Sequence, residues 1–406
     1  MFPEIANEVF SRSKEALEIV SKYAHRTPLE RSNTISKMVG ANVYLKLENL
    51  QKTGAFKVRG ALYKVYKLHQ QGVKGVVAAS AGNHAQGVAY GASVFGMRAV
   101  IVMPETASIA KVEATRGYGA EVVLYGAVYD DAERKAREIA EKEGLVMVHP
   151  FNDVDIMAGQ ATIAWEVLEQ LKEIDAVIVP IGGGGLASGI LSVIKKVSPK
   201  TKVIGVEPEA APKMLTSIKE GKPVTIEPKP SLADGLVTKR PGDLTFEIVS
   251  KLIDDIVTVS EREIAHAIYI LLERCKLLAE GAGAASVAAL LSGKIDAKGN
   301  VVALVTGGNI DITVLHRVLI EGMCESGRVT ILRGVVPDVP GSLSRVLSVI
   351  ARSRGNVLEV KHLRHSPGLD PWHAVVEIIV EVPSKDVVQR MLRDLEAMGV
   401  QFNEVG

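Results

Sequence analysis

Through the first three quarters of the chain, short apolar runs alternate with amphipathic stretches of helical length. The runs are rich in Val, Ile and Ala, and each is short enough to form a single strand. Strands that are apolar along their whole length and are joined by helices form parallel sheets with both faces covered. Aromatic residues make up only 4% of the chain, so the core between these layers must be aliphatic. The pattern therefore predicts an α/β fold.

The apolar and amphipathic segments can be assigned individually. The predicted strands are Val43–Leu47, Val76–Ala79, Ala99–Met103, Glu121–Leu124, Ala176–Pro180, Val203–Glu207 and Val301–Val305. The predicted helices are Ala55–His69, Ala85–Phe95, Ile109–Arg116, Asp130–Lys142 and Leu186–Lys196. In addition, Ser260 and Glu263 form a capping box that predicts the start of a further helix.

The pattern changes after Glu325, where Ser326 and Gly327 interrupt it. A strand, a helix with one apolar face, two strands and a last helix follow, in the order βαββα. The predicted strands are Val329–Val336, Val357–Leu363 and Ala374–Val382. We therefore expect a catalytic domain over residues 1–325, with a smaller subdomain around 47–150, and a second domain over 326–406.

Charge and composition exclude several classes of partner. The net charge is +1, with no basic block, so neither nucleic acid nor an anionic membrane is an expected partner. No apolar run reaches the length of a membrane span, and no signal peptide is recognisable, so a cytoplasmic location is expected. The two cysteines form neither a disulfide framework nor a metal-like spacing.

One lysine stands out from the other charged residues. Lys57 follows the aromatic Phe56 at the predicted start of a helix, behind a turn formed by Thr53 and Gly54. Phe56 would help to keep the amine from bulk water. A desolvated lysine has a lowered pKa and becomes nucleophilic enough to form a Schiff base with an aldehyde. Taken alone, the segment fits a surface lysine on an ordinary helix better.

Four consecutive glycines, Gly182, Gly183, Gly184 and Gly185, follow a predicted strand, and Leu186 opens the next helix. Bare backbone N–H groups at a helix N-terminus favour a phosphate group. A flexible loop or a dinucleotide-binding turn is the alternative. A nucleoside-triphosphate loop is excluded because no Gly-Lys-Ser/Thr sequence follows.

These segments, together with Ser80–Gly87, resemble in sequence order the pyridoxal-phosphate enzymes of fold type II, and most closely the threonine/serine dehydratases. The resemblance runs from about Thr27 to Glu325 and includes the strings 232–235 (LADG), 240–245 (RPGDLT) and 306–309 (TGGN). It implies two open, mostly parallel twisted sheets flanked by helices. It also implies pyridoxal 5'-phosphate as cofactor and a small amino acid as substrate.

The same resemblance assigns roles to individual residues. Lys57 would carry the cofactor and remove the substrate's α-proton. Asn83 would bond the phenolic oxygen, and Thr306, where most relatives have serine, would face the pyridine nitrogen. The other implied cofactor-binding residues are Phe56, Gly182, Gly183, Gly184, Gly185, Leu186 and Gly235. The implied substrate-binding residues are Ser80, Ala81, Gly82 and His84.

The last 80 or so residues resemble a ferredoxin-like ACT regulatory domain. This resemblance implies an amino-acid effector at the turn between the first strand and the helix, and it suggests a homodimer or homotetramer. The implied effector residues are Asp338, Pro340, Gly341, Ser342, Leu343 and Asn356. A domain used only for contacts between subunits is the alternative.

Two further functions are possible for the whole chain. The first is an amino-acid racemase on the same scaffold. By resemblance, serine racemases have a serine at the position of Ala81 as a second acid-base group. Alanine has no proton to give, so racemisation is disfavoured. Those racemases bind a divalent ion, and Glu207 matches one ligand position. However, Lys213 stands where an acid would be expected, so no metal is predicted. The second is an amino-acid sensor whose catalytic domain is silent.

Overall fold

The computed structural model of the protein describes residues 2–365 and 368–405. It divides into two compact units, residues 1–310 and 311–406. The helix that precedes Glu325 belongs to the second unit, whereas the sequence expectation placed it in the first. The two units are described separately below.

Strands within the described residues are short, as expected from the apolar runs. In chain order they are β1 (Leu29–Arg31), β2 (Asn42–Leu47), β3 (Gly75–Ala79), β4 (Arg98–Met103), β5 (Glu121–Leu124), β6 (Val146–Met147), β7 (Ala176–Pro180), β8 (Lys202–Pro208), β9 (Asp255–Val259), β10 (Asn300–Val305), β11 (Val329–Pro337), β12 (Asn356–Leu363), β13 (His373–Glu381) and β14 (Gln401–Glu404).

Helices connect most of these strands. In chain order they are α1 (Glu4–Tyr23), α2 (Asn33–Val39), α3 (Lys57–Gln70), α4 (Asn83–Val94), α5 (Ile109–Gly117), α6 (Tyr129–Glu143), α7 (Val154–Gln170), α8 (Gly185–Val197), α9 (Lys213–Glu220), α10 (Asp243–Leu252), α11 (Glu261–Cys275), α12 (Gly281–Leu291), α13 (Ile312–Glu325), α14 (Ser342–Arg352) and α15 (Lys385–Ala397). Short 3-10 helices cover Glu48–Leu50 and Asp234–Leu236.

The first unit contains two sheets, which confirms the predicted α/β fold with two open, mostly parallel sheets. The larger sheet has the strand order β1-β2-β10-β7-β8-β9, and only the β1–β2 pair is antiparallel. The smaller sheet has the order β5-β4-β3-β6 and is parallel throughout.

The register of the larger sheet decides where its loops meet. Val305 at the end of β10 pairs with Leu47 at the end of β2, and β7 lies on the other side of β10. The carboxyl ends of three neighbouring strands therefore lie at one edge of the sheet, where parallel α/β sheets bind their ligands. The chain segments that follow these strands carry Lys57, Thr306 and Gly182.

The long helix α7 was not predicted. It is buried along most of its length and packs against α1, α3 and α8. Its polar residues Gln160, Thr162 and Glu166 are buried along with its apolar ones, so the helix shows little of the amphipathic periodicity that identifies surface helices. The capping box at Ser260 and Glu263 is present as predicted and opens α11.

In the second unit, an antiparallel sheet of order β12-β13-β11-β14 packs on α14 and α15 around an aliphatic core. The βαββα order is present, and the structure adds β14, which pairs with β11. This four-residue strand was missed because it contains a single large apolar residue, Phe402. No helix among the described residues is both long and apolar enough to cross a membrane.

Candidate active site

Lys57 is the first residue of α3, and a turn before it places it at the carboxyl edge of the larger sheet. Gly54 has a φ of 70°, in the left-handed region that glycine adopts without strain, and its N–H closes a turn on the carbonyl of Gln51. Phe56 then donates its backbone N–H to the carbonyl of Thr306 at 3.0 Å. Gly308 donates in the opposite direction, to the carbonyl of Gly54 at 2.9 Å. These bonds join the lysine turn to the segment after β10.

The Lys57 amine lies in a buried setting that makes its neutral form more accessible than in water. It is 5.7 Å from the centre of the Phe56 ring, as the sequence interpretation expected. Burial lowers the pKa of Lys57 to about 8, against a smaller opposing effect of Glu280. No described residue accepts a hydrogen bond from this amine. The amine is therefore available to a ligand, and its uncharged form is accessible near neutral pH.

The glycine loop faces the same edge of the sheet. The carbonyl of Gly183 is fixed by two hydrogen bonds. It accepts one from the Thr245 hydroxyl at 2.6 Å and a longer one from the Gly242 N–H. Among the described residues, no acceptor is within hydrogen-bonding distance of the N–H groups of residues 182–184. Free N–H groups beside the N-terminus of α8 form a site for an anion such as a phosphate.

Close packing behind the loop explains why glycine is needed there. A Cβ atom on Gly183 would lie 2.3 Å from the Phe151 ring. Gly184 has a φ of 99°, and a Cβ atom there would lie 2.8 Å from the Thr245 side chain. The loop therefore runs too near its supporting residues for any side chain, and this closeness fixes its path.

Asn83, the first residue of α4, belongs to a chain of polar side chains. Its amide nitrogen donates to the Glu280 carboxylate at 2.6 Å, and its amide oxygen accepts from Asn309 at 2.8 Å. The Asn309 amide also donates to the carbonyl of Thr53, beside the lysine turn. These bonds hold Asn83 in a fixed orientation at the end of the smaller sheet.

Glu280 is a residue that the sequence analysis missed. It is 7% exposed, and it lies immediately before α12. Burial raises the pKa of Glu280 to about 7, and the charge of Asp234 adds to this effect, while the hydrogen bond from Asn83 opposes it. One signal could have revealed it: Glu280 is the single acid in a run of small and apolar residues from Leu277 to Leu291. Isolated buried acids with perturbed pKa values concentrate at functional sites.

Thr306 follows β10 and is 2% exposed. Its hydroxyl donates to the carbonyl of Ala282 at 3.2 Å. Because a hydroxyl proton rotates to suit its acceptor, Thr306 can instead donate to an acceptor atom of a ligand. Gly307 follows without a side chain because a Cβ atom there would lie 2.3 Å from Glu280.

The segment of residues 80–84 follows β3. Ser80 accepts a hydrogen bond from the Gly82 N–H at 3.2 Å, and Ala81 packs against the apolar cluster of the smaller sheet. The His84 ring is buried and bonds the carbonyl of Val148 at 2.9 Å, while burial lowers the pKa of His84 to about 3. This environment gives the His84 side chain a structural position in the segment.

One cavity collects all ten of the predicted cofactor residues. It encloses about 510 Å³, including the part that opens to solvent. Among the residues that line it are Phe56, Lys57, Asn83, Gly182, Gly183, Gly184, Gly185, Leu186, Gly235 and Thr306, together with Phe151 and Glu280. Residues 80–82 and His84 are not among the described residues that line it.

The lining fits pyridoxal phosphate. The unpartnered amine of Lys57 suits its aldehyde, and the free N–H groups of the glycine loop suit its phosphate. The Thr306 hydroxyl and the second amide proton of Asn83 are donors that suit its ring nitrogen and its phenolic oxygen, respectively. Gly235 lies beside the loop, since its carbonyl oxygen would be 3.2 Å from a Cβ atom on Gly182.

Glu207 does not face this cavity. Its carboxylate forms an ion pair with Lys213 at 2.9 Å and accepts the backbone N–H groups of Met214 and Leu215. No cluster of three or more potential metal ligands occurs among the described residues.

In the second unit, the segment from Asp338 to Leu343 joins β11 to α14, as the effector prediction requires. Gly341 has a φ of 88°, while Pro340 lies in the preceding turn. The Ser342 N–H, expected to be free for an effector, instead donates to the carbonyl of Val339 at 3.2 Å, and Asp338 pairs with Arg364. Asn356 is exposed and its amide approaches Glu381 at 3.4 Å.

Comparison with known proteins agrees with the cavity chemistry. The sequence profile of the family described as "Pyridoxal-phosphate dependent enzyme" matches residues 20–307. The chain belongs to this family of pyridoxal-phosphate dependent enzymes, which confirms the family and cofactor predicted from the motifs. Within the family it is similar to the L-threonine ammonia-lyase of Thermotoga maritima, with 47% identity over 97% of this chain and 98% of that one.

Two solved structures are similar in fold. The processed form of threonine deaminase isoform 2 from Solanum lycopersicum aligns with a TM-score of 0.73 and 38% identity, covering 77% of this chain and 93% of that one. Maize serine racemase aligns with a TM-score of 0.73 and 36% identity, covering 78% of this chain and 98% of that one. The scaffold thus occurs with both chemistries, and the site residues must decide between them.

Proposed function

We propose that the protein is a threonine ammonia-lyase that converts L-threonine to 2-oxobutanoate and ammonia, and L-serine to pyruvate and ammonia. The observation that carries this proposal is the unpartnered Lys57 amine, with a pKa lowered to about 8, in a cavity shared with the glycine loop, Asn83 and Thr306. The overall similarity to the Thermotoga maritima ammonia-lyase, which extends over both units, supports it.

The chain's residues divide the work as follows. When bound, pyridoxal phosphate supplies an aldehyde that joins covalently to an amine and a ring that withdraws electrons from the substrate's Cα. The N–H groups of residues 182–184 hold the phosphate. Asn83, fixed by Glu280 and Asn309, would hold the phenolic oxygen. Thr306 would donate its hydroxyl to the unprotonated ring nitrogen, without the charge of a carboxylate.

Lys57 acts twice in this scheme. Its amine would hold the aldehyde of the cofactor, and the same amine, once free, would remove the substrate's α-proton. In the net elimination, the α-proton and the β-hydroxyl of the substrate are lost together as one water. The released 2-aminocrotonate takes up one water and loses ammonia to give 2-oxobutanoate, so one water is lost and one is gained in each turnover.

The experiment is direct. Purified protein incubated with pyridoxal phosphate and L-threonine is expected to release 2-oxobutanoate and ammonia in equal amounts. Lys57→Ala should remove this activity by more than the ~10²–10⁴-fold that loss of a general base alone causes, and Lys67→Ala on the same helix serves as the control. Near-normal turnover in Lys57→Ala would refute the assignment of Lys57.

A second candidate function is racemisation, favoured by the similarity to maize serine racemase. Removal of the α-proton by Lys57 is common to both reactions, but racemisation also needs a proton donor on the opposite face. The methyl side chain of Ala81 cannot supply a proton. Elimination therefore remains the proposed reaction.

We also infer that the second unit binds an amino-acid effector at the turn of Asp338–Leu343, that the chain forms a homodimer or homotetramer, and that it works in the cytoplasm. The ligand would be a branched-chain amino acid or serine, with its carboxylate near the N-terminus of α14. Since the Ser342 N–H is already bonded, Leu343 is the better donor. Calorimetric titration of the full-length protein with L-isoleucine and L-valine tests this, and absence of heat together with unchanged kinetics would favour a purely structural unit.

A further inference from the structure

Lys213 is a fully buried lysine outside the cavity, and its amine is surrounded by oxygen atoms. It is 0% exposed. Its Nζ donates to the carbonyls of Ile181 at 2.8 Å, Leu236 at 3.0 Å and Ala211 at 3.2 Å. The carboxylate of Glu207 lies 2.9 Å away.

This set of partners fits the ammonium form. Burial lowers the pKa of Lys213, and the carboxylate of Glu207 opposes this effect. A protonated lysine has three N–H donors and no acceptor, which matches three carbonyl oxygens beside one carboxylate. A neutral amine would turn a lone pair toward an oxygen. Three carbonyls and a carboxylate are also the ligands that hard metal cations take in proteins. The ammonium group of Lys213 thus occupies a site that would otherwise suit a metal cation.

Two of the three carbonyls that Lys213 binds belong to segments that line the cofactor cavity. Ile181 directly precedes Gly182, and Leu236 directly follows Gly235. The next residue of α9, Met214, also supports the loop, since its side chain lies 2.9 Å from the position of a Cβ atom on Gly184. The ammonium therefore joins the two segments from behind, on the side away from the ligand.

We propose that Lys213 is a positioning residue whose ammonium serves as a built-in cation, binding the glycine loop to the Gly235 segment so that the loop N–H groups face the cofactor phosphate. The lysine replaces a dissociable cation, so cofactor binding in the natural protein is independent of monovalent and divalent metal ions. This inference rests on the assignment of the cavity to pyridoxal phosphate.

The test uses full-length protein with three single substitutions in buffers of constant ionic strength, with tetramethylammonium as the inert cation. Lys213→Ala leaves space among the four oxygens, whereas Lys213→Met fills that space with an apolar chain. Lys195→Ala is the matched control, since Lys195 also pairs with a carboxylate and a carbonyl, those of Asp254 and Thr201, which do not line the cavity. The readouts are the dissociation constant of pyridoxal phosphate and the thermal midpoint of the cofactor-free protein.

We expect natural protein and Lys195→Ala to bind the cofactor equally, whether or not potassium or ammonium chloride is present. Lys213→Ala should bind it about ten- to a hundredfold more weakly, the range for loss of hydrogen bonds to a charged group. Potassium or ammonium should restore part of this loss and raise the thermal midpoint. Lys213→Met should show the loss without the restoration.

Several outcomes would overturn the proposal: cofactor affinity in Lys213→Ala equal to that of the natural protein, no response of Lys213→Ala to either cation, or a requirement of the natural protein for potassium. The last can be measured even if neither Lys213 variant folds. Failure of the natural protein to bind pyridoxal phosphate would instead refute the proposed function, so the two failures are distinguishable.

Discussion

The amide of Asn83 donates to the carboxylate of Glu280 at 2.6 Å across the candidate active site, although the two residues lie 197 positions apart in the chain. Asn83 follows the smaller sheet, and Glu280 precedes a helix that packs on the larger one. The bond thus fixes a residue from one sheet against a residue from the other. It also places a buried acid beside the group proposed to hold the cofactor's phenolic oxygen.

Replacing Glu280 with glutamine is expected to change how stability depends on pH. Burial raises the pKa of Glu280 to about 7, above the ordinary glutamate value of 4.5. The protonated acid therefore stabilises the folded state fully below pH 4.5, and this contribution is lost as the pH rises through 7. Glutamine does not titrate, so in cofactor-free protein Glu280→Gln should gain stability relative to the natural protein between pH 5 and 8.

Thermal midpoints measured across that pH range provide the comparison for Glu280. Glu18→Gln, at an exposed position of α1, is the control and should follow the natural protein at every pH. Parallel curves for Glu280→Gln and the natural protein would show that Glu280 is already ionised at pH 5.

Replacing Thr306 with aspartate is expected to impair elimination. A carboxylate beside the ring nitrogen would keep it protonated and make the ring a stronger electron sink, which favours transamination. The aspartate would also face the carbonyl of Ala282, which now accepts the threonine hydroxyl. We expect turnover of L-threonine to fall by at least about tenfold, or ~1.4 kcal/mol in the barrier, and pyridoxamine phosphate to accumulate.

Chromatography of the cofactor after turnover would detect the pyridoxamine form. Thr306→Ser keeps the hydroxyl and should resemble the natural protein in both rate and products. If Thr306→Asp retains the normal rate and forms no pyridoxamine phosphate, Thr306 does not lie against the ring nitrogen.

Replacing Ala81 with serine is expected to add racemase activity. The substitution supplies a hydroxyl proton donor in the segment after β3, and Ala81 is only partly buried there. Chiral chromatography after incubation with L-serine should detect D-serine from Ala81→Ser but not from Ala81→Gly. Production of D-serine by the natural protein at a rate comparable to pyruvate would show that the choice of elimination over racemisation is wrong.

Replacing Arg59 with methionine is expected to destabilise the fold strongly. The guanidinium is fully buried and bonds Glu48 at 2.7 Å and Glu166 at 2.6 Å. Its removal leaves two buried carboxylates with Lys46 as the nearby cation, and breaking a buried ion pair in this way costs about 3–5 kcal/mol. Urea unfolding of cofactor-free protein measures this cost.

The exposed pair of Arg26 and Glu169 provides the comparison for Arg59, because Arg26→Met should cost less than about 1 kcal/mol. An Arg59→Met variant that unfolds at the same urea concentration as the natural protein would contradict the expected cost.

The sequence alone determined the layer architecture and the local elements of the cofactor site. Short aliphatic runs joined by amphipathic stretches predict strands, and β5 and β7 have the predicted ends. In both cases a glycine, Gly126 or Gly182, follows two residues after the strand. Lys57 and the four glycines were identified because their chemistry is local: a lysine after an aromatic at a helix start, and bare N–H groups before a helix. Similarity to known enzymes confirms the family and cofactor that these segments predicted.

Only the tertiary structure decided which distant groups meet. Helix α7 was missed because a helix enclosed on nearly all sides lacks the polar face that makes helical periodicity visible. The burial of Glu280 and Lys213 was not predicted, because the residues next to a side chain in the sequence do not determine whether it is buried. Glu280 bonds Asn83, and Lys213 bonds the carbonyls of Ile181 and Leu236. These groups meet only in the folded chain, where the order of the strands places them together. Sequence patterns determine which secondary structure a segment can form. Tertiary packing determines which charged groups are buried away from water, and therefore which side chains have shifted pKa values.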